Sequence, residues 1–145
     1  MSLGVRRYLL DTDVVSEWTK LAPDPGLIAF LESVDEDRLF LSVATLAEIR
    51  RGIDTLPEGK KRPRLDEWLS HDLRERFDGR ILDVDAAIAD HWGRLSATAS
   101  RAGRHPSAID CLIAASASFH DCVVVTRNVS DFAPFEIEIL NPWMA

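Results

Sequence analysis

Cys122-Val123-Val124-Val125 is a short, unbroken apolar run rich in β-branched residues. With no polar side to turn toward water, it reads as a strand buried on both faces. Such a strand needs parallel neighbours and a layer of helices on each side of its sheet. Four further runs supply the neighbours: Arg7-Tyr8-Leu9-Leu10, Arg38-Leu39-Phe40-Leu41-Ser42, Ile81-Leu82-Asp83-Val84 and Ile137-Glu138-Ile139-Leu140. Between them, apolar residues recur at helical spacing over 14–19 (capped by Thr12 or Asp13), around 27–31, and over 44–56, 60–77, 86–102 and 107–119. Pro106 opens the last of these helices and Gly103 closes the one before it. The stretch 60–77 is polar apart from Leu65, Trp68, Leu69 and Leu73, and is expected as a surface helix. This alternation predicts an α/β fold, with a central, mostly parallel sheet of about five strands between helical layers.

A chain of 145 residues is the size of one domain, so 1–145 is expected to form a single core. Hydrophobic residues at 46% and charged residues at 28% exclude a largely disordered chain. No run approaches the length that spans a membrane, and residues 1–7 lack the apolar stretch of a secretory signal, which leads to the expectation of a cytoplasmic protein. Cys111 and Cys122 both lie in apolar segments and are expected as buried free thiols. The net charge of -7 argues against clamping nucleic acid by bulk electrostatics, but leaves room for a cation-filled acidic pocket that holds phosphate.

Acidic residues far apart in the chain fall where a strand gives way to a loop or helix. Asp11 ends the first strand, Glu48 lies about two turns into the following helix, Asp110 is near the start of the helix at Pro106, and Asp131 follows the strand ending at Thr126. In open α/β sheets ligands bind beyond the carboxyl ends of the strands. Carboxylates gathered there repel one another unless a divalent cation neutralises them, and Mg²⁺ or Mn²⁺ prefers oxygen ligands. Each residue also has a plain structural use: Asp11 and Asp131 as helix caps, Glu48 on a solvated face, Asp110 in an ion pair with an arginine.

Four segments carry a family resemblance: Leu9-Leu10-Asp11-Thr12-Asp13-Val14-Val15-Ser16-Glu17, Thr45-Leu46-Ala47-Glu48-Ile49-Arg50-Arg51-Gly52, Ala108-Ile109-Asp110-Cys111-Leu112-Ile113-Ala114-Ala115 and Val125-Thr126-Arg127-Asn128-Val129-Ser130-Asp131-Phe132. Together with the closing Leu140-Asn141-Pro142-Trp143, they resemble the PIN-domain nucleases of the VapC and FitB-like toxins. The resemblance implies a PIN-like three-layer sandwich and an endoribonuclease toxin that depends on Mg²⁺ or Mn²⁺. It further implies an RNA substrate, a homodimer and a small antitoxin of the VapB or FitA type, with DNA contacted only indirectly through that antitoxin. Asp11, Glu48 and Asp110 match the family's regular acidic positions. Asn128 stands where many relatives carry an acid, with Asp131 three residues later, so either one is a candidate for the fourth position. Thr12 and Thr126 are candidates to orient the carboxylates through their hydroxyls, and Arg127 to meet a substrate phosphate.

Two other readings stay open at this point. Leu10-Asp11-Thr12-Asp13-Val14 also resembles the aspartyl-nucleophile motif of haloacid dehalogenase type phosphohydrolases, although the last lysine of this chain is Lys61. A catalytically silent PIN-like binding module would use the same acidic pocket to receive a partner's arginine. The basic cluster Lys60, Lys61, Arg62 and Arg64 reads either as a solvated helix face or as an RNA-backbone contact. Trp18, Trp68 and Trp92 fit helix faces in a core or interface, and the four histidines lack the spacing of a zinc site.

Overall fold

The computed structural model describes residues 5–143, so the reading of residues 1–7 lies partly outside the described residues. Five parallel strands form one sheet: β1 (Arg7–Leu10), β2 (Leu39–Ser42), β3 (Ile81–Leu82), β4 (Cys122–Val125) and β5 (Ile139–Leu140). Their order is β3-β2-β1-β4-β5. The chain first builds outward from β1 through β2 to β3, then returns to place β4 on the other side of β1. β1 and β4 therefore flank the point where the winding reverses, and the loops at their carboxyl ends part to leave a crevice. Register is fixed along the whole of that pair, from Arg7 opposite Cys122 to Leu10 opposite Val125.

Because side chains alternate across a strand, Leu9 and Leu10 enter different cores, and both are fully buried. Leu10 joins Val14, Val15, Leu27, Leu41, Leu73 and Phe77 on one face of the sheet. Leu9 joins Cys111, Ile113, Ala114, Val124 and Phe132 on the other. The first core is covered by α1 (Thr12–Trp18), α2 (Pro25–Ser33), α3 (Val43–Asp54), α4 (Lys61–Glu67), a π-helical turn (Trp68–Leu73) and α5 (Arg74–Arg76). The second is covered by α6 (Ala86–Arg101), α7 (Ala108–His120) and α8 (Val129–Phe132). The small residues of α7, with Ala114, Ala115 and Ala117 fully buried, let that helix lie close against the sheet.

The edges and caps differ from the sequence expectations. β3 stops at Leu82 because Asp85 caps α6, its carboxylate accepting from the Ile88 amide at 2.9 Å, so Asp83 and Val84 leave the sheet. β5 begins only at Ile139, since the Ile137 amide bonds locally to the Phe135 carbonyl at 2.9 Å. Pro106 precedes α7 rather than opening it; Ser107 is the cap, accepting from the Asp110 amide at 3.1 Å. The segment 60–77 is less superficial than its polarity suggested, as Leu69 and Leu73 are buried. Both lie within the π-helical turn Trp68–Leu73. Cys111 and Cys122 are free and buried, and burial pushes both thiols up. No described helix is long and apolar enough to cross a membrane.

Candidate active site

The β1–β4 crevice is built around Asp11. Its amide completes the sheet by donating to the Val125 carbonyl at 2.9 Å, which holds its backbone at the end of both strands. Its extended backbone makes Asp11, rather than Thr12 or Asp13, the cap of α1, with its side chain accepting from the Thr12 amide at 2.8 Å. The other oxygen accepts from the Thr126 hydroxyl, also at 2.8 Å. Thr126 is fully buried directly after β4, so two adjacent strand ends are joined by one short hydrogen bond.

Asp13 fastens the same loop. Its Oδ2 accepts from the Arg127 amide at 2.8 Å and from the Asn128 side-chain amide at 3.3 Å. Thr126 Oγ1 lies 3.3 Å from that oxygen, but its single proton is better placed toward Asp11, the nearer acceptor. The Thr126 hydroxyl in turn accepts from the Asn128 amide at 3.0 Å. Asp13 Oδ1 and Thr12 Oγ1 are buried without a hydrogen-bond partner. Asp13 was absent from the sequence-based candidates. The signal is the Asp-Thr-Asp spacing, whose second acid reads locally as a cap for α1.

The electrostatics tie these groups to the distant acids. Burial, then the neighbouring Asp13, pushes the Asp11 carboxyl up to about 7, against the hydrogen bonds from Thr126 and Thr12. Asp110 adds to the same repulsion. Burial likewise raises Asp13, outweighing the bond from Arg127 and its other donors. Asp110, half-buried in the first turn of α7, is raised by burial and then by the charges of Asp131, Glu48 and Asp13, with Ser107 opposing. Among the described residues none of Asp11, Asp13, Glu48, Asp110 and Asp131 forms a salt bridge, so the arginine partner considered for Asp110 is not there. Five carboxylates thus share one electrostatic neighbourhood with no cationic side chain among them.

They do not stand as a finished ligand set. No three described histidine, cysteine, aspartate or glutamate side chains converge closely enough to hold an ion as they are placed. Glu48 and Asp131 are exposed at the rim, where their rotamers are free to turn, while Asp11 is locked by its two hydrogen bonds. The donor set is nonetheless suited to a hard cation: oxygen atoms only, mutually repelling, with Asp11 buried and Asp13 Oδ1 left unpaired. Asn128 is drawn to Asp13 as a donor, and Asp131 is the charge that Asp110 feels most strongly. Arg127 is exposed, its guanidinium 6.0 Å from the Trp143 ring centre.

Thr126→Val keeps the shape but deletes the hydroxyl at the centre of this network. It leaves the Asn128 amide without its acceptor and Asp11 without its buried donor, and is expected to lower the unfolding free energy by about 1–3 kcal/mol. Urea denaturation measures this, and an unchanged midpoint would show the network to be energetically idle.

Comparison with known proteins agrees with this geometry. The family model for the PIN domain matches residues 8–133. The chain is 36% identical to Toxin FitB of Neisseria gonorrhoeae, covering 93% of this chain and 97% of that protein. It is 34% identical to VapC ribonuclease Y4jK of Sinorhizobium fredii, covering 93% and 96% respectively. The crystal structure of FitAcB from Neisseria gonorrhoeae superposes with a TM-score of 0.87 at 35% identity, over 95% of this chain and 99% of that one. A five-stranded parallel sheet with acids at the β1–β4 crevice, matched over nearly its whole length by these proteins, places this chain in the PIN-domain family.

Proposed function

We propose that this protein is a divalent-metal-dependent endoribonuclease, the toxin of a toxin–antitoxin pair. The observation that carries the reading is the buried Asp11 at the strand crossover, held by Thr126 and surrounded by acids that raise one another's proton affinity. The likeness to a VapC ribonuclease and to Toxin FitB supports it.

Asp11, Asp110 and Glu48 would hold Mg²⁺ or Mn²⁺, with Asp131 or the Asn128 carbonyl oxygen completing the set. A bound divalent ion supplies charge neutralisation at a phosphodiester and a lowered pKa for an attacking water. The remaining work belongs to the chain. Thr126 fixes the direction of the Asp11 carboxylate, and Asp13 pins the loop that carries Thr126 and Asn128. Ser107 fixes the first turn of α7 and with it Asp110. Thr12, whose buried hydroxyl has no partner, is a candidate to orient a reacting water, and the exposed Arg127 to meet a substrate phosphate. The same reading assigns a homodimer and a small VapB- or FitA-type antitoxin as partner, with DNA reached through the antitoxin alone.

The test is cleavage of a labelled single-stranded RNA by purified protein. Cleavage is expected with Mg²⁺ or Mn²⁺, to vanish with EDTA and to return on adding either metal. Cleavage indifferent to chelation would overturn the metal-dependent reading, and no cleavage under any of these conditions would overturn the nuclease. Co-expression with the neighbouring open reading frame tests the pairing, and recovery of the protein without any small partner would count against the toxin assignment.

A further inference from the structure

A groove of about 940 Å³ leaves the carboxylates and runs between α1, α3 and α4. On α1 its wall is Thr12, Ser16 and Thr19, one residue per turn along a single face. Glu48 and Gly52 repeat the pattern along α3, with Leu56 just past its end, so the groove follows α1 for about 10 Å from Thr12 to Thr19. It therefore begins beside Asp11, which Thr12 follows directly, and includes Glu48.

The third wall is α4, and there the charge changes sign. Lys61 and Arg64 line the groove and, among the described residues, form no salt bridge, whereas the other cation of the lining, Lys20, is paired with Glu17. Glu48 is the single acid in the lining. In a chain of net charge -7, two unpaired cations facing a hollow that starts at the candidate active site are a local reversal of the prevailing field.

Resting on the nuclease reading above, we propose that this groove carries the single-stranded RNA chain beside its scissile bond, with Lys61 and Arg64 on backbone phosphates. The two residues then set affinity and leave the chemical step to the acids. Gly52 gives the groove its width on the α3 side: a Cβ built there meets nothing within 4 Å, so a larger side chain would enter the hollow without clashing.

The test compares wild type with Lys61→Glu/Arg64→Glu, Lys61→Ala/Arg64→Ala and Gly52→Leu, using a labelled single-stranded RNA oligonucleotide at several salt concentrations. Lys60→Ala, outside the groove lining, is the control. Charge reversal is expected to raise KM about 10-fold or more with kcat within about twofold of wild type. The double alanine variant is expected to flatten the log–log salt dependence of binding by about 1.4, at roughly 0.7 per phosphate lost on a single strand. Gly52→Leu should raise KM with no change in salt slope. Direct binding is read by fluorescence anisotropy on the Asp110→Asn background, so that the probe survives. Unchanged KM and salt slope in a wild-type background that cleaves would remove the groove and keep the nuclease, as would variants that lose a co-expressed protein partner while handling RNA normally. Binding that depends on Lys61 and Arg64 in a protein that never cleaves would keep the groove and remove the nuclease.

Discussion

Asp11→Asn is expected to lower RNA cleavage by roughly 10³-fold, about 4 kcal/mol of barrier, while making the metal-free protein harder to unfold. The two effects have one cause. Asparagine keeps the shape and one accepting oxygen, enough for the Thr12 amide, while its NH2 faces the Thr126 hydroxyl, which can accept from it and turn its own proton to Asp13. It removes a negative charge that is only 5% exposed and lies beside Asp13 and Asp110. Relief of that burial and repulsion is expected to add roughly 1–3 kcal/mol of stability near pH 8, where the wild-type carboxyl, raised to about 7, is mostly ionised. A charge kept at the cost of stability is the signature of a functional position. Steady-state cleavage and urea midpoints on the same preparation decide it. Undiminished cleavage would remove Asp11 from the site, and a lower urea midpoint would show a structural cap and nothing more. Asp110→Asn is expected to follow in rate, with a smaller gain in stability because its carboxyl is half solvated and keeps the Ser107 interaction.

Much of this arrangement is legible in the residues themselves. The β-branched run Cys122 to Val125 announces a strand covered on both faces, and Leu9 and Leu10 divide between two cores as alternation requires. Asp11 can be found because a strand ending in an acid at the sheet's carboxyl edge is an address for ligands. Asp13 escapes because acids are common in the first helical turn, and nothing local says that its carboxylate reaches across to residues 127 and 128. Strand ends at β3 and β5 are decided by competing local bonds, the Asp85 cap and the turn at Phe135, which apolar patterning does not record. Nor does sequence give the distance between Glu48 and Asp110. Their coupling arises because α3 and α7 pack near one another on the folded sheet, a long-range fact carried by the topology.

Magnesium is expected to stabilise the protein far more at pH 8 than at pH 5. In the folded chain the Asp11 carboxyl titrates near 7, against an ordinary value of 3.8, and Asp13 and Asp110 are raised in the same direction. A folded state that holds protons more tightly than the unfolded chain is favoured by acid. The contribution is complete below the ordinary carboxylate range and is lost as pH rises through about 7. In EDTA the melting temperature is therefore expected to fall between pH 5 and pH 8. Opposing groups stay out of that window: Glu17 and Glu36, lowered by Lys20 and Arg76 respectively, lose their contributions only under more acidic conditions. A cation competes with protons for the same oxygens, so Mg²⁺ at about 100 times its Kd is expected to add about 2.7 kcal/mol at pH 8, or roughly 5–10 °C. At pH 5 a proton already neutralises Asp11 and the gain should shrink. Differential scanning calorimetry at both pH values, with Mg²⁺ and with EDTA, reads all four states. Equal Mg²⁺ shifts at the two pH values would mean that the ion binds elsewhere on this acidic chain, and Asp11→Asn should flatten the EDTA slope because it removes the most strongly raised group in the crevice.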